Sequence, residues 1–189
     1  MTFTYADPPY PGLSRRYYSG HVDYAGEVDH RALLSQLQQS DAWALSTSSR
    51  ALPDVLATAC ELGLAPRVAA WFRGVRVVKA LGPLQAWEPV LYSGERRDLE
   101  LGARPDAVIR CARPRTTDPR RVVGAKPAAF CYWLFDLVGA LPGDTFVDLF
   151  PGSGGVTRAW NIYVSRSPAD ATCRPSTSDA SLDACARDM

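Results

Sequence analysis

Apolar positions switch between two periods over the first 72 residues. Residues 2–6 are a short β-prone run that delivers Asp7-Pro8-Pro9-Tyr10 at its carboxyl end. Leu33, Leu34 and Leu37 then recur at helical spacing and predict a helix over residues 27–39. Residues 41–47 (Asp-Ala-Trp-Ala-Leu-Ser-Thr) read as a strand, and Ser48 and Ser49 can cap a second helix. In that helix Leu52, Val55, Leu56, Ala59 and Cys60 fall at i, i+3, i+4, i+7 and i+8. Pro53 is tolerated near its start, and Gly63 stops it after Leu62. Residues 67–72 make a third strand. The resulting β-α-β-α-β order predicts an α/β fold, a parallel sheet with helices on its faces.

The second half is less regular until residue 126. Residues 75–79 and 85–92 read as two more strands around Gly82-Pro83, and residues 93–125 as an irregular, basic connection. Lys126-Pro127 opens a helix with Phe130, Trp133, Leu134, Leu137 and Val138 on one face, ending near Gly139. After a turn at Pro142-Gly143, residues 144–150 form a strand and residues 151–155 a glycine-rich loop. Val156 then begins another helix. From residue 165 large apolar side chains almost vanish, so residues 165–189 are expected to be a disordered tail behind a domain spanning residues 1–164.

Bulk properties narrow the classes. A chain of 189 residues suits one domain, and 47% hydrophobic with 22% charged residues is an ordinary globular balance. A net charge of +1 supplies no global field for nucleic acid, so any polyanion contact must come from local clusters. Five scattered cysteines without a C-x-x-C pair, and only His21 and His30, argue against a disulfide framework and against a metal site. No signal-peptide core or long apolar window is present, so a cytoplasmic protein without a membrane partner is expected.

Two stretches carry candidate chemistry. Asp7 is an acceptor-only carboxylate, Pro8 and Pro9 fix the backbone without N–H groups, and Tyr10 offers a flat ring. Two acceptors and a stacking face suit an exocyclic amino group on a nucleobase; a strand ending in a proline turn explains the four residues equally well. Residues 146–155, Phe-Val-Asp-Leu-Phe-Pro-Gly-Ser-Gly-Gly, run from strand through glycines to a helix start. Such a helix terminus attracts an anion while Asp148 can meet an ammonium group, a combination suited to an amino-acid-like ligand. A glycine turn that binds nothing is the alternative. Arg15, Arg16 and Tyr17, in an aperiodic loop over residues 11–24, can meet phosphates or stack. Arg113, Arg115, Arg120 and Arg121 belong to the one basic cluster in the chain.

Asp7-Pro8-Pro9-Tyr10, then Lys126-Pro127 opening a helix, then Asp148-Leu-Phe-Pro-Gly-Ser-Gly154 together resemble the β-class DNA amino-methyltransferases. The order and separation of the motifs match, and the likeness is greatest to compact phage or mobile-element adenine enzymes. It implies a Rossmann-like class I methyltransferase sheet in circularly permuted order, with S-adenosylmethionine (SAM) as methyl donor. By that resemblance Asp7 and the Pro8 carbonyl accept the two hydrogens of adenine N6, Pro9 completes the motif and Tyr10 stacks on the base. DNA would present its adenine flipped out of the stack. Cytosine N4, an RNA adenine, or an inactive relative are the alternatives. Asp148, Phe150, Gly152, Ser153 and Gly154 would surround the methionine part of SAM, with Lys126 and Pro127 bordering the pocket. No metal is implied. The family continues into a second strand ending in an acid for the ribose hydroxyls. Residues 162–164 would be that strand only after a helix too short for a crossover, so the strand and its acid are expected to be missing. Asp170 and Asp179, in the tail, are the candidate stand-ins for that acid.

Overall fold

In the computed structural model, which describes residues 1–10, 27–73, 83, 85–97, 101–109 and 126–165, six strands form one sheet between two helical layers. In chain order the elements are β1 (Thr2–Ala6), α1 (His30–Leu37), β2 (Ala42–Ser46), α2 (Leu52–Glu61), β3 (Arg67–Phe72), β4 (Trp87–Ser93), β5 (Ala107–Ile109), α3 (Ala128–Val138), β6 (Thr145–Asp148) and α4 (Gly155–Ser165). The strands lie in the order β5-β3-β4-β2-β1-β6. The tail, the strand expected over residues 75–79 and the loop over residues 11–24 lie outside the described residues.

The period-2 alternation sorts the two cores. Phe3 and Tyr5 of β1, Ala42 and Ala44 of β2, and Val90 and Tyr92 of β4 face α3 and α4. Ala6, Trp43, Leu45 and Leu91 face α1 and α2. Strands buried on both faces are what a sheet covered by crossover helices requires.

The local signals act much as the sequence suggests, with shifts at the boundaries. Asp29 caps α1, accepting from the Arg31 and Ala32 amides, so the helix starts later than residue 27. Ser48 does not cap α2 directly. Its Oγ accepts from the Ala51 amide, closing a turn that feeds the helix, whose N-cap is Ala51. Cys60, placed on the apolar stripe by spacing, is exposed; Val55 and Ala59 carry the contact. α3 ends at Gly139 with φ +68°, where Ala140 N donates to the Phe135 carbonyl. A Cβ at Gly139 would push aside the end of the Arg104 side chain, and it is the positive φ that calls for glycine there.

Two sequence expectations need correction. The sheet is mixed: β4 runs antiparallel to both β2 and β3 and lies between them. Strand β3 returns into β4 as a long hairpin, so spatial neighbours are not the ones the alternating pattern suggests. The connection over residues 93–125 is not wholly irregular, because β5 pairs parallel with β3 inside it. Residues 162–164 are not a strand; they continue α4, whose ring of Trp160 and Tyr163 packs on Phe135. Among the described residues β6 is therefore an edge strand, and Val147 on it is exposed.

Candidate active site

Parallel pairing sets the carboxyl ends of β1, β2 and β6 side by side. Tyr5 stands opposite Asp148 and Ala6 opposite Leu45, so the chain leaves β1 at Asp7 beside the loop that leaves β6. The Leu149 amide donates to the Tyr5 carbonyl at 3.0 Å and carries the alignment one residue past β6. Two sequence stretches about 140 residues apart thus meet at one crevice, where open α/β sheets place ligands.

Asp7 is held by an ion pair. Lys126 Nζ lies 2.7 Å from both Asp7 oxygens and 3.6 Å from Glu88 Oε2. Glu88, buried on β4, accepts from the Tyr10 hydroxyl at 2.9 Å on Oε2 and from Arg73 Nη1 at 2.6 Å on Oε1. The Lys126 ammonium also faces the rings of Tyr10, Trp71 and Phe130 at 5.6–5.9 Å. Two carboxylates and two cations balance, as buried charge must. Burial pushes the Asp7 carboxyl above its ordinary 3.8, and the Lys126 charge pulls it back only in part. Burial, then the charges of Asp7 and Glu88, hold the Tyr10 phenol well above 10.0, so Tyr10 stays a neutral donor.

The loop after β6 takes a shape that needs its glycines. Gly152 and Gly154 have φ of +48° and +71°, and the Gly154 amide turns back to the Pro151 carbonyl. Asp148 Oδ1 accepts from the Phe150 amide and Oδ2 from the Thr157 hydroxyl, which ties the strand end to the first turn of α4. Arg158 Nη1 donates to the Ser153 carbonyl at 2.6 Å and braces the turn from the helix side. Burial raises the Asp148 carboxyl, its two hydrogen bonds oppose this, and the Asp7 charge raises it further; the last effect marks how near the two acids are. The first amides of α4 have no partner within the helix and face the loop.

The predicted residues therefore fall into three groups. Asp7, Pro8, Pro9 and Tyr10 gather with Lys126 and Pro127 at the end of β1, and Lys126 binds the Asp7 carboxylate. Asp148, Phe150, Gly152, Ser153 and Gly154 form the adjoining loop. Arg15, Arg16, Tyr17, Arg113, Arg115, Arg120 and Arg121 lie outside the described residues. On β2, Trp43 is core, while Ser46 pairs its hydroxyl with that of Tyr5 at 2.7 Å. Sequence reasoning missed Glu88 and Arg73. The signal was there: an acid within Trp-Glu-Pro-Val-Leu-Tyr is a charge in a run too apolar to be solvent-facing, and a buried Glu needs a partner.

No group of three or more His, Cys, Asp and Glu side chains among the described residues is arranged to hold a metal ion, and no helix there is long and apolar enough to cross a membrane. No family model matches the sequence, and a search of curated proteins returns no relative. Solved structures do share the fold. The crystal structure of the M1.HpyAVI–SAM complex superposes with a TM-score of 0.56 over 86% of this chain and 78% of that one, at 13% identity. At that identity the likeness is one of fold: a six-stranded mixed α/β sheet shared with a protein solved in complex with SAM.

Proposed function

We propose that this chain is a SAM-dependent DNA methyltransferase that acts on the exocyclic N6 of adenine. The observation that carries the reading is the meeting of Asp7 and Tyr10 with the Asp148–Gly154 loop at the ends of two adjacent parallel strands. The fold shared with M1.HpyAVI, a protein solved in complex with SAM, supports it. The residues present fit the amino-acid end of SAM: positive-φ glycines allow close backbone approach, the α4 terminus offers amides to a carboxylate, and Asp148 offers an acceptor to an ammonium. When bound, SAM supplies an electrophilic methyl group.

The chain's own residues do the rest. Asp7 and the Pro8 carbonyl accept the two N–H bonds of the target amino group, drawing its lone pair out of ring conjugation. They also stabilise the positive charge that develops on nitrogen, which is transition-state rather than ground-state binding. Tyr10, fixed through its hydroxyl by Glu88, presents its face to the base. Holding base and donor in line supplies much of the remaining acceleration.

The test is transfer of labelled methyl from SAM to unmethylated DNA, followed by nucleoside analysis. Labelled N6-methyladenosine is expected; N4-methylcytosine, or label in RNA alone, would redirect the substrate assignment. Wild-type turnover matched by Asp7→Ala would refute the mechanism. A second reading, a relative that binds without turnover, draws on β6 being an edge strand with no further strand beside it among the described residues. SAM binding with no transfer to DNA or RNA would select it.

A further inference from the structure

The Lys126 ammonium creates a difficulty that Glu88 resolves. Both Asp7 oxygens, one of which is needed beside the Pro8 carbonyl to accept an N–H of the amino group, are engaged by Nζ at 2.7 Å. A carboxylate oxygen can accept a second bond, but Nζ stands over the Tyr10 ring on which the base would stack, so an entering base displaces the ammonium from at least one of them. The displaced cation cannot simply turn to water, because Lys126 is 5% exposed and faces the rings of Tyr10, Trp71 and Phe130. A buried ammonium left without a carboxylate is strongly disfavoured. Glu88 Oε2 already stands 3.6 Å away, so a shift of about 1 Å brings the two to hydrogen-bond distance. Arg73 occupies the other oxygen of Glu88, at 2.6 Å, which keeps Oε2 turned toward Lys126 and Tyr10.

We infer that Glu88 is a positioning residue: it anchors the Tyr10 ring by its hydroxyl and receives the Lys126 ammonium when a substrate amino group claims Asp7. The inference rests on the proposed methyl-transfer reading and deepens it. The handover changes the site in two ways. It frees an Asp7 oxygen to accept an N–H, and it moves positive charge away from the nitrogen where positive charge must develop. Glu88 and Tyr10 are joined, so an arriving ring that presses on Tyr10 acts on the same carboxylate that receives the ammonium.

Two measurements test this, the first of them separately from the function itself. The crystal structure of Asp7→Asn, with no substrate present, is expected to show Nζ within hydrogen-bond distance of Glu88 Oε2. An ammonium that stays on the new amide oxygen or turns to solvent overturns the proposal, whatever the wild type catalyses. In methyl transfer, Glu88→Gln keeps an acceptor for Tyr10 but loses the charge that receives Lys126. Its kcat is expected to fall by roughly tenfold or more while KM for SAM holds, a split that a general loss of fold would not give. Unchanged kcat overturns the proposal. The double variant Glu88→Gln/Lys126→Met, which keeps the cluster charge-balanced, has no ammonium to move and is expected to turn over faster than Glu88→Gln. If it is no faster, the handover is refuted. A wild type silent on every nucleic acid would sink the methyltransferase reading, and the Asp7→Asn structure would still decide the role of Glu88.

Discussion

Asp7 works under opposed demands: in the proposed reaction it must be ionised to accept one N–H of the target amino group beside the Pro8 carbonyl, yet it sits where burial favours its neutral form. Its folded pKa lies above the ordinary 3.8, so the active carboxylate fraction rises with pH through that higher value. The acid limb of kcat/KM is therefore expected above the usual aspartate range, measured by methyl transfer at saturating SAM. Lys126 is the chief opposing charge, so Lys126→Met is expected to move the limb to higher pH still. A limb that stays put or moves down would show that Asp7 does not control the profile. The sign for stability is the reverse of the usual salt-bridged acid. A raised pKa means the folded state binds the proton more tightly, so this group's contribution weakens as pH climbs from 3.8 through the folded value. Asp144 behaves oppositely. Burial pushes its carboxyl up, but hydrogen bonds from Arg96, the chain's amino group and the Leu141 amide outweigh that and hold it below 3.8. Its contribution is full above pH 3.8 and is lost as pH falls through the lower folded value, and Arg96→Met is expected to shift acid unfolding, followed by circular dichroism, to higher pH.

Elements carry these residues to their places, and their stability is concentrated in few side chains. Phe135 of α3 is fully buried, with ring contacts to Phe3, Phe146, Trp160 and Tyr163 at 5.1–6.3 Å. It joins the helix before β6 to both strands of the site and to α4. Phe135→Ala is expected to cost about 3–5 kcal/mol in denaturant unfolding. The loop makes a different demand. At Gly154, φ of +71° costs an L-residue about 1–2 kcal/mol, so Gly154→Ala is expected to weaken SAM binding, by calorimetry, about tenfold. Much of this was legible in the sequence, since helical spacing found α1, α2 and α3 and the glycines found the turn. Strand neighbours were not. Alternation in residues 41–47 and 85–92 reports burial on a face but says nothing of direction, so the antiparallel place of β4 between β2 and β3 needed the coordinates. The partners of Glu88 were hidden for the same reason, because Tyr10, Arg73 and Lys126 come from three other segments and only the sheet order brings them to it. β5 is three residues long, too short to show a period.

At the scale of the whole molecule the question is how a nearly neutral chain would hold a polyanion. A net charge of +1 gives no long-range attraction, and the cluster around Asp7 is internally balanced, with Asp7 and Glu88 against Lys126 and Arg73. Phosphate contact must then come from a local group, and Arg113, Arg115, Arg120 and Arg121 are the densest in the sequence. They precede Lys126 directly in the chain, so strand contacts there would be tied to the segment that touches Asp7. If each arginine meets one phosphate, changing all four to Gln removes four released counterions. The slope of log affinity against log salt for duplex DNA is then expected to flatten by about 3–4, and KM for DNA to rise steeply at physiological salt. SAM binding should hold, because the loop from Asp148 to Gly154 is braced by Tyr5, Thr157 and Arg158, none of which belongs to this cluster. Filter binding across a salt series reads the slope, and calorimetry reads the cofactor. An unchanged slope would move the nucleic-acid surface away from this cluster, to the segment carrying Arg15, Arg16 and Tyr17, where the same experiment can be repeated.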